Sequence, residues 1–174
     1  MQSTNPKDIL ILLQVISTGL TNGILAKEEV IDWADKIITK DEQPDIFFID
    51  LALPSSKSKI EIINHFTDYI NPENPVPGKP LLGLLYKKYH AGELNLERTV
   101  RILYQLNFNA LFTSREENFI YSIDDEYDLA RNNIYGSLED VKRETENFLA
   151  LYKDYSIYNF EQWQMLDKEI DERF

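Results

Sequence analysis

The chain has 174 residues, 43% of them hydrophobic, so it is long enough to bury a core and its length suits one domain. It contains no cysteine, which excludes disulfides, thiolate zinc sites and cysteine nucleophiles and favours a reducing compartment. The formal net charge is −12, with −9 of it in residues 115–174. Such a surface repels nucleic-acid phosphates and anionic membranes and attracts basic proteins; the alternative is that it only keeps the protein soluble.

The N-terminal apolar segment predicts a helix of a cytoplasmic protein rather than a signal peptide or a membrane span. One lysine precedes the apolar run 9–13, and polar residues interrupt the segment at helical spacing. No stretch of the sequence reaches the roughly 20 apolar residues that cross a bilayer. Asn5 and Pro6 supply an N-cap and a first-turn proline for a helix that runs to about Leu20.

Helical periodicity continues through the next three segments. The stretch AKEEVIDWADKIITK places five apolar residues on one stripe: Val30, Trp33, Ala34, Ile37 and Ile38. The stretch PDIFFIDLAL suits either a buried strand or a short buried helix, and Pro44, Asp45 and Pro54 favour the helix. A helix from about Ser56 to about Ile70 follows, with four residues expected to face inward: Ile60, Ile63, Phe66 and Ile70.

The segment NPENPVPGKP, residues 71–80, is the one clear linker in the sequence. Four prolines and a glycine in ten residues disfavour a helix, and the segment is short enough to stay inside one domain. We therefore expect a single helical domain over residues 1–174. The linker would separate an N-terminal helical layer, residues 1–70, from a C-terminal layer, residues 81–174.

Three helices are predicted after the linker. LLGLLYKKYHAGEL and NLERTVRILYQLNF are predicted as a helix pair joined around Gly92, with Asn95 as the second N-cap. Thr113 and Ser114 each precede a glutamate by three residues, which is the capping-box pattern. The helix that they begin contains the most acidic stretch of the chain.

The last two helices complete an all-α prediction. Ser137 is expected to begin one helix and Asn159 to cap the other, while Tyr155 and Tyr158 are expected to be the exposed aromatics between them. The final helix is amphipathic, with three apolar residues on one side: Leu166, Ile170 and Phe174. The whole pattern predicts eight or nine short helices, packed as antiparallel pairs in one compact domain.

The stretch YSIDDEYDLARNN, residues 121–133, concentrates carboxylates on one helix. If residues 115–134 are helical, an apolar stripe faces inward and consists of Ile120, Ile123, Tyr127, Ala130 and Ile134. Tyr121 falls outside that stripe, with four carboxylates around it: Glu117, Asp124, Asp125 and Asp128. An aromatic ringed by carboxylates is typical of an interface hot spot for a basic partner. The alternative is that another helix covers Tyr121, which then has a packing role.

Metal binding and catalysis are weaker interpretations of the same stretch. The spacing of the acids mimics a calcium loop, but Leu129 follows where the sharp turn needs glycine. His65 and His90 are single and belong to no Glu-x-x-His pair, so both are predicted to be structural. No phosphate loop, nucleophile elbow or zinc-protease motif occurs. We therefore predict no metal, no cofactor and no enzymatic activity, although residues distant in sequence could still assemble a catalytic site.

Two longer stretches resemble small helical bacterial immunity proteins of polymorphic or contact-dependent toxin systems. They are GILAKEEVIDWADKII with PDIFFIDLAL, and GKPLLGLLYKKYHAGELNLERTVRILYQL. The resemblance covers about half the chain and lies in helix-packing residues: Trp33, Ala34, Leu51, Leu82 and Leu85. It implies a cytoplasmic, non-enzymatic protein that binds and neutralises one toxin domain, often a basic nuclease. It assigns no individual binding residue.

Three functions therefore follow from the sequence. The leading one is an immunity protein, a monomer or weak dimer, that masks a basic toxin domain with its acidic C-terminal surface. The second is a regulatory or adaptor module that binds a peptide or helix in an inter-helical groove, which a deep apolar groove near the linker would favour. The third is an enzyme with an acid-lined pocket, which would require a buried Asp/Glu–His cluster around His65 or His90.

Overall fold

The N-terminal helix begins as the sequence predicts. A computed structural model describes residues 5–53 and 57–173. The side chain of Asn5 accepts a hydrogen bond from the backbone N–H two residues on, at 3.0 Å, and caps a 3₁₀ turn, Pro6–Ile9. Helix α1, Leu10–Thr21, follows directly, and most of its residues are buried. This helix contributes a large part of the hydrophobic core.

The ambiguous apolar stretch after the second helix is helical, as the proline positions predicted. Helix α2 is Lys27–Ile38 and helix α3 is Ile46–Ala52, whose N-cap Asp45 accepts a backbone hydrogen bond at 2.9 Å. Trp33 packs edge to face on Phe48 with ring centroids 5.6 Å apart, which holds α2 against α3. Four of the five predicted stripe residues of α2 are buried, namely Val30, Trp33, Ala34 and Ile37, and the fifth, Ile38, is half-buried.

The fourth helix begins later than predicted, and one of its inward residues was assigned wrongly. Helix α4 is Lys59–Thr67, and Ser58 caps it in a capping box. Ile60 therefore lies in the first turn and is exposed, whereas Ile62 and Phe66 are fully buried. Packing on α1 determines which face of α4 is buried. The predicted helix was longer than α4, so its apolar periodicity placed Ile60 on the wrong face.

The linker is shorter than the sequence suggested. Helix α5, Gly78–His90, includes the last three residues of the predicted linker 71–80, because a proline in a first turn lacks only an N–H that is unpaired anyway. Helix α6, Leu96–Leu106, follows the predicted connection. Gly92 has φ +76°, a left-handed conformation that favours glycine, and Asn95 caps α6 by accepting a backbone hydrogen bond at 2.8 Å.

The end of the linker is fastened to the chain segment after α6. The N–H of Leu111 donates to the carbonyl of Val76 at 2.7 Å, and the N–H of Gly78 donates to the carbonyl of Leu111 at 2.9 Å. Pro77 and Leu111 thereby form an isolated parallel bridge. A Cβ at Gly78 would lie 2.2 Å from the Phe112 ring, so this close approach requires glycine. The contact fixes the linker against the C-terminal layer.

Helices α7, Ser114–Arg131, and α8, Leu138–Ala150, form the acidic part of the fold. The predicted inward stripe of α7 is confirmed for four residues: Ile120, Ile123, Tyr127 and Ala130. The fifth assignment, Ile134, is wrong, because α7 ends at Arg131 and the chain turns through Asn133, which has φ +56°. Ile134 is consequently exposed. Ser137 caps α8, as predicted.

The aromatic segment between α8 and the last helix is more buried than expected. Tyr155 was predicted to be exposed, but it is buried and its hydroxyl donates to Asp167 at 2.5 Å. Burial and this hydrogen bond raise the pKa of the Tyr155 hydroxyl. Tyr158 is 45% exposed, in agreement with the prediction. A tyrosine in a polar-looking loop can serve as a core residue when a partner for its hydroxyl is close.

The chain ends in a 3₁₀ turn, Phe160–Gln162, and helix α9, Trp163–Glu172. Asn159 precedes the turn, but its side-chain oxygen accepts from the N–H of Ser156 instead of capping the helix. Leu166 and Ile170 are buried, as predicted for the amphipathic helix. Three residues named in the sequence predictions lie outside the described residues: Pro54, Ser56 and Phe174.

Helix pairs build the molecule, and the predicted all-α class is confirmed. Helix α2 packs on α3, α6 on α7, and α8 on both α7 and α5, while α1 packs on α4 and α5. Residues of both layers contribute to one hydrophobic core cluster, and the Nζ of Lys88 on α5 pairs with Glu29 on α2 at 2.8 Å. The described ranges contain nine α-helices and no named strand. None of these helices has the length and apolar character needed to cross a membrane.

Candidate functional site

A capping box sets the register of the acidic residues on α7. The hydroxyl of Thr113 accepts the N–H of Glu116 at 3.3 Å, and a carboxylate oxygen of Glu116 accepts the N–H of Thr113 at 2.8 Å. The hydroxyl of Tyr152 donates to the other Glu116 oxygen at 2.7 Å, and both side chains are buried. Burial and this hydrogen bond raise the pKa of Tyr152. The start of α7 is therefore anchored to the chain after α8.

The five predicted site residues share one helix but divide into two environments. Glu117, Tyr121 and Asp125 are exposed, whereas Asp124 and Asp128 are partly buried. Glu117, Tyr121 and Asp125 are spaced by four residues, so they lie one above the other on the same face of α7. Neither Glu117 nor Asp125 forms an ion pair with any residue of the described ranges.

Arg101 on α6 neutralises part of this surface, and sequence reasoning did not identify it. One guanidinium nitrogen lies 2.7 Å from Asp124 and another lies 2.7 Å from Asp128. The same guanidinium lies over the Tyr127 ring, 5.7 Å from its centroid. The sequence feature that could have predicted this ion pair is an arginine on the polar side of one helix together with an i, i+4 pair of aspartates on the next helix. Two adjacent helices joined by a short connection bring such groups together.

The pKa values of Asp124 and Arg101 are both raised, but by different causes. Burial raises the pKa of Asp124, and the neighbouring charges of Asp128 and Asp125 raise it further, against the lowering effect of Arg101. The pKa of Arg101 is raised, chiefly by its hydrogen bond to Asp128. One guanidinium shared between two carboxylates cannot fully offset the desolvation of the more buried one. Asp124 is therefore a structural group that holds Arg101, not a free surface charge.

Tyr121 belongs to an exposed aromatic cluster that spans two helices. Its ring packs edge to face on Tyr104 of α6 at 6.2 Å, and Tyr104 packs in the same manner on Phe108 at 5.2 Å. All three rings are exposed, and Tyr121 retains 45% of its surface. We call these three residues the aromatic ridge. Neighbouring α6 therefore contacts Tyr121 without burying it, and Glu117 and Asp125 lie beside the ridge on α7.

The two histidines make different contacts. His65 stacks on Phe47 with ring centroids 4.7 Å apart, and its Nε2 lies 3.0 Å from the Phe47 carbonyl oxygen. His90 stacks on Tyr86, and its Nδ1 lies 3.0 Å from a carboxylate oxygen of Glu146, with both members of that pair exposed. Neither arrangement is the buried acid–histidine cluster that the enzyme hypothesis requires. Over the described ranges, no three metal-ligating side chains are grouped closely enough to hold an ion.

Two adjoining grooves open on the side of the molecule where the linker ends. The linker groove has a volume of about 700 Å³ and is lined chiefly by Pro77, Lys79, Leu111, Phe112, Phe160 and Trp163. The α7–α8 groove has a volume of about 600 Å³ and is lined chiefly by Arg115, Phe119, Glu144, Phe148, Leu151 and Ile170. Three residues border both grooves: Thr113, Glu116 and Asp171. The two grooves therefore adjoin each other, with these three residues at their common border.

No family model, no curated protein and no solved structure matches the chain. The resemblance to immunity proteins consequently stays a prediction drawn from the sequence. The candidate site rests on its geometry: an exposed aromatic ridge, two exposed carboxylates beside it and a clamped pair of aspartates behind them.

Proposed function

We propose that this protein is a non-enzymatic binding protein of the immunity type, which masks a basic toxin domain with the acidic surface of α7. The observation that carries the proposal is the aromatic ridge of Tyr104, Phe108 and Tyr121, exposed between the unpaired carboxylates Glu117 and Asp125. Exposed aromatics grouped in one place are the residue types that dominate the binding energy of protein interfaces.

The charges beside the ridge define the partner. Glu117 and Asp125 belong to a segment whose net charge is −9, so the long-range field attracts a basic protein and speeds association. Arg101 clamps α6 to α7 through Asp124 and Asp128, so the ridge is held in one arrangement before binding. A preorganised surface loses less conformational entropy on association. We therefore assign contact roles to Glu117, Tyr121 and Asp125, and positioning roles to Asp124 and Asp128.

The proposal is tested with a double variant, Tyr121→Ala with Asp125→Lys. Both positions are exposed, whereas a lysine at position 124 would face Arg101 and disturb the fold. The tagged wild-type protein is incubated with extract of its own cells at low salt and eluted with a salt gradient. We expect one basic protein, retained in equimolar amount and released as salt rises, with an affinity about tenfold or more weaker for the double variant.

A matched control is available in Tyr158→Ala. Tyr158 has the same residue type and the same exposed fraction, 45%, but lies in the segment between α8 and α9. Its removal is expected to leave retention unchanged. Equal retention of the basic protein by wild type and double variant would show that the site is assigned wrongly. Absence of any basic protein from the wild-type eluate would count against the function itself.

The immunity role has a readout of its own. The retained protein is expressed in a neutral host, alone and together with the protein described here. An immunity function predicts that the partner arrests growth when expressed alone and that co-expression with the wild-type chain restores growth. Co-expression with the double variant should restore growth less. A partner that is harmless alone would leave a binding protein that is not an immunity protein.

A further inference from the structure

The linker groove has a preformed wall. Two backbone hydrogen bonds join Leu111 to Val76 and Gly78, and the Phe112 ring packs against the space where Gly78 lacks a Cβ. The opposite wall is formed by Phe160 and the start of α9. Walls that are held together by the fold need little ordering on binding, which favours occupancy by another molecule. The volume of about 700 Å³ lies within the range of ligand-binding clefts.

The lining of the groove is mainly apolar. Leu111 is 60% exposed although it is a large aliphatic residue, and Phe112 and Phe160 are half-buried. Trp163 also lines the groove, and its indole N–H already donates to the carbonyl of Ser156 at 3.1 Å. Trp163 is only 5% exposed, so its indole adds a small apolar area to the groove and no unsatisfied donor. Such a lining binds large apolar side chains and gains from removing them from water.

Carboxylates outnumber cations around this apolar lining. The groove is bordered by four acids, Glu116, Glu161, Asp167 and Asp171, and by one lysine, Lys79. The Nζ of Lys79 pairs with Asp171 at 2.6 Å, so these two charges offset each other and the lining keeps an excess of carboxylates. The rim is consequently negative and disfavours anionic ligands. It is complementary to lysine or arginine side chains that flank an apolar anchor.

The presence of the second groove favours an extended peptide over a small molecule as the ligand. The α7–α8 groove adjoins the linker groove at Thr113, Glu116 and Asp171, and it too has an apolar lining, formed by Phe119, Phe148, Leu151 and Ile170. Two apolar depressions separated by a carboxylate border match alternating apolar and basic side chains of one segment. A ligand of the size of a single cleft would leave the other depression empty.

We propose that the two adjoining grooves bind a basic peptide segment of another protein, with one large apolar side chain in each groove and lysine or arginine beside Asp167 and Asp171. This site lies on different residues from the aromatic ridge and does not depend on the immunity function. The two surfaces can therefore be tested separately. The segment would bind along α9, while the aromatic ridge is formed by α6, the connection that follows it and α7.

The experiment uses a random 12-residue peptide library displayed on phage, selected on the purified full-length protein. Selected peptides are synthesised, and their affinities are measured by fluorescence anisotropy. We expect them to contain two aromatic or large aliphatic residues with lysine or arginine between or beside them. Leu111→Arg, which places a cation in the linker groove, should weaken their binding about tenfold or more. Added salt should weaken it as well.

Two controls test whether peptide binding depends on the grooves and their rim. Ile134→Arg makes the same kind of change at a residue that is 70% exposed and lines neither groove, so peptide affinity should not change. Asp167→Asn with Asp171→Asn should weaken binding several-fold, because it removes two carboxylates from the groove rim. Glu117→Gln with Asp125→Asn removes the same number of charges from α7, and we expect a smaller effect from it.

The proposal is overturned if selection yields no peptide, or if the selected peptides lack lysine and arginine. It is overturned equally if Leu111→Arg binds them as tightly as the wild type does. The thermal unfolding midpoint of Leu111→Arg shows whether a loss of binding is caused by a loss of fold. Asp167→Asn with Asp171→Asn gives a second, independent measurement of how peptide affinity depends on the grooves. Tyr121→Ala with Asp125→Lys should affect peptide binding no more than Glu117→Gln with Asp125→Asn does, so failure of one site is distinguishable from failure of the other.

Discussion

Arg101 is the single side chain that most alters the character of the acidic surface. It joins Asp124 and Asp128 to α6, and it leaves Glu117 and Asp125 as the carboxylates of α7 beside the aromatic ridge. The aspartates that look most like a binding motif in the sequence are therefore the ones that the fold uses internally. A helical wheel shows which residues share a face, but it does not show which neighbouring side chain lies opposite them.

Replacing Arg101 by methionine tests this division. Asp124, whose side chain is only 15% exposed, would lose its cation, and we expect the free energy of unfolding to fall by about 1–2 kcal/mol. Urea denaturation measures the change. Arg143→Met is the control, because the ion pair of Arg143 with Asp140 is exposed on both sides and should contribute nothing measurable. Equal effects of the two changes would contradict the clamp.

A second residue-scale prediction concerns the pH dependence of stability. Glu144 on α8 faces Glu126 on α7, and burial, followed by the charge and hydrogen bond of Glu126, raises the pKa of Glu144. The native state then binds a proton more readily than the unfolded state. This contribution to stability therefore increases as pH falls from the raised pKa towards the ordinary one.

Glu144→Gln should remove that contribution. We expect the variant to be more stable than the wild type at pH 7, on the order of 0.3 kcal/mol, because a repulsive pair at a mostly exposed position is removed. The difference should shrink as pH falls towards the raised pKa of Glu144, where the wild-type carboxyl takes up its proton. Thermal unfolding across this pH range measures both effects. The control is Glu169→Gln on α9, and a difference that grew on acidification would exclude the pair as the cause.

At the scale of the helices, α5 approaches the end of α8 so closely that a side chain has no room. A Cβ at Gly83 would lie 2.4 Å from the carbonyl oxygen of Tyr152 and 2.7 Å from the Cβ of Tyr155. Both are parts of the chain that cannot move independently. The same glycine allows α5 to contact the segment whose tyrosines are buried, so one small residue supports the packing of several large ones.

Gly83→Ala is therefore expected to destabilise the protein by about 1–3 kcal/mol, although alanine is the better helix former. The free energy of unfolding in urea is the measurement. Gly19→Ala is the control, since the atoms nearest to its Cβ belong to the flexible Leu25 side chain, at 3.1 Å and beyond. We expect little net change there. A Gly83→Ala variant as stable as the wild type would argue against the close contact of α5 and α8.

Four helix starts were predictable from the sequence because a capping side chain marks each of them. Asn5, Asn95, Thr113 and Ser137 all cap the helices that were assigned to them, because a cap is a local interaction between residues two or three apart. Burial was predicted less well. Ile60 and Tyr155 were assigned to the wrong environments, because their exposure depends on which distant segment covers them.

The candidate site was predictable to the same extent. Tyr121 lies outside the buried stripe, as the spacing indicated, because α7 is regular over its whole length. Two residues of α6 determine the environment of the site: Tyr104 contacts Tyr121, and Arg101 pairs with Asp124. They lie next to α7 only when the two helices pack together. The grooves could not be derived at all, since their walls come from the linker, the α6–α7 connection and α9, which are far apart in the sequence.

At the scale of the whole molecule, charge and apolar surface are distributed unequally. The ridge and the two grooves all include residues after position 100, where most of the net negative charge is also found. The N-terminal layer contributes core residues and a few cross-layer contacts, such as the pair of Glu29 with Lys88. If the proposed surfaces bind partners, the N-terminal layer serves mainly as their support and contributes Ile11 to the linker groove.

The backbone hydrogen bonds of Leu111 with Val76 and Gly78 predict what happens when the chain is cut in the linker. They lie after the exposed residues 71–74, so a protease that cuts between Glu73 and Asn74 would leave every one of them intact. With a cleavage site inserted there, we expect the two fragments to stay associated and to elute together in size-exclusion chromatography, since each retains its part of a shared core. Separation without denaturant would contradict this. The fragments should also reassemble when expressed as two separate polypeptides, so the covalent link at the prolines is dispensable for the native assembly.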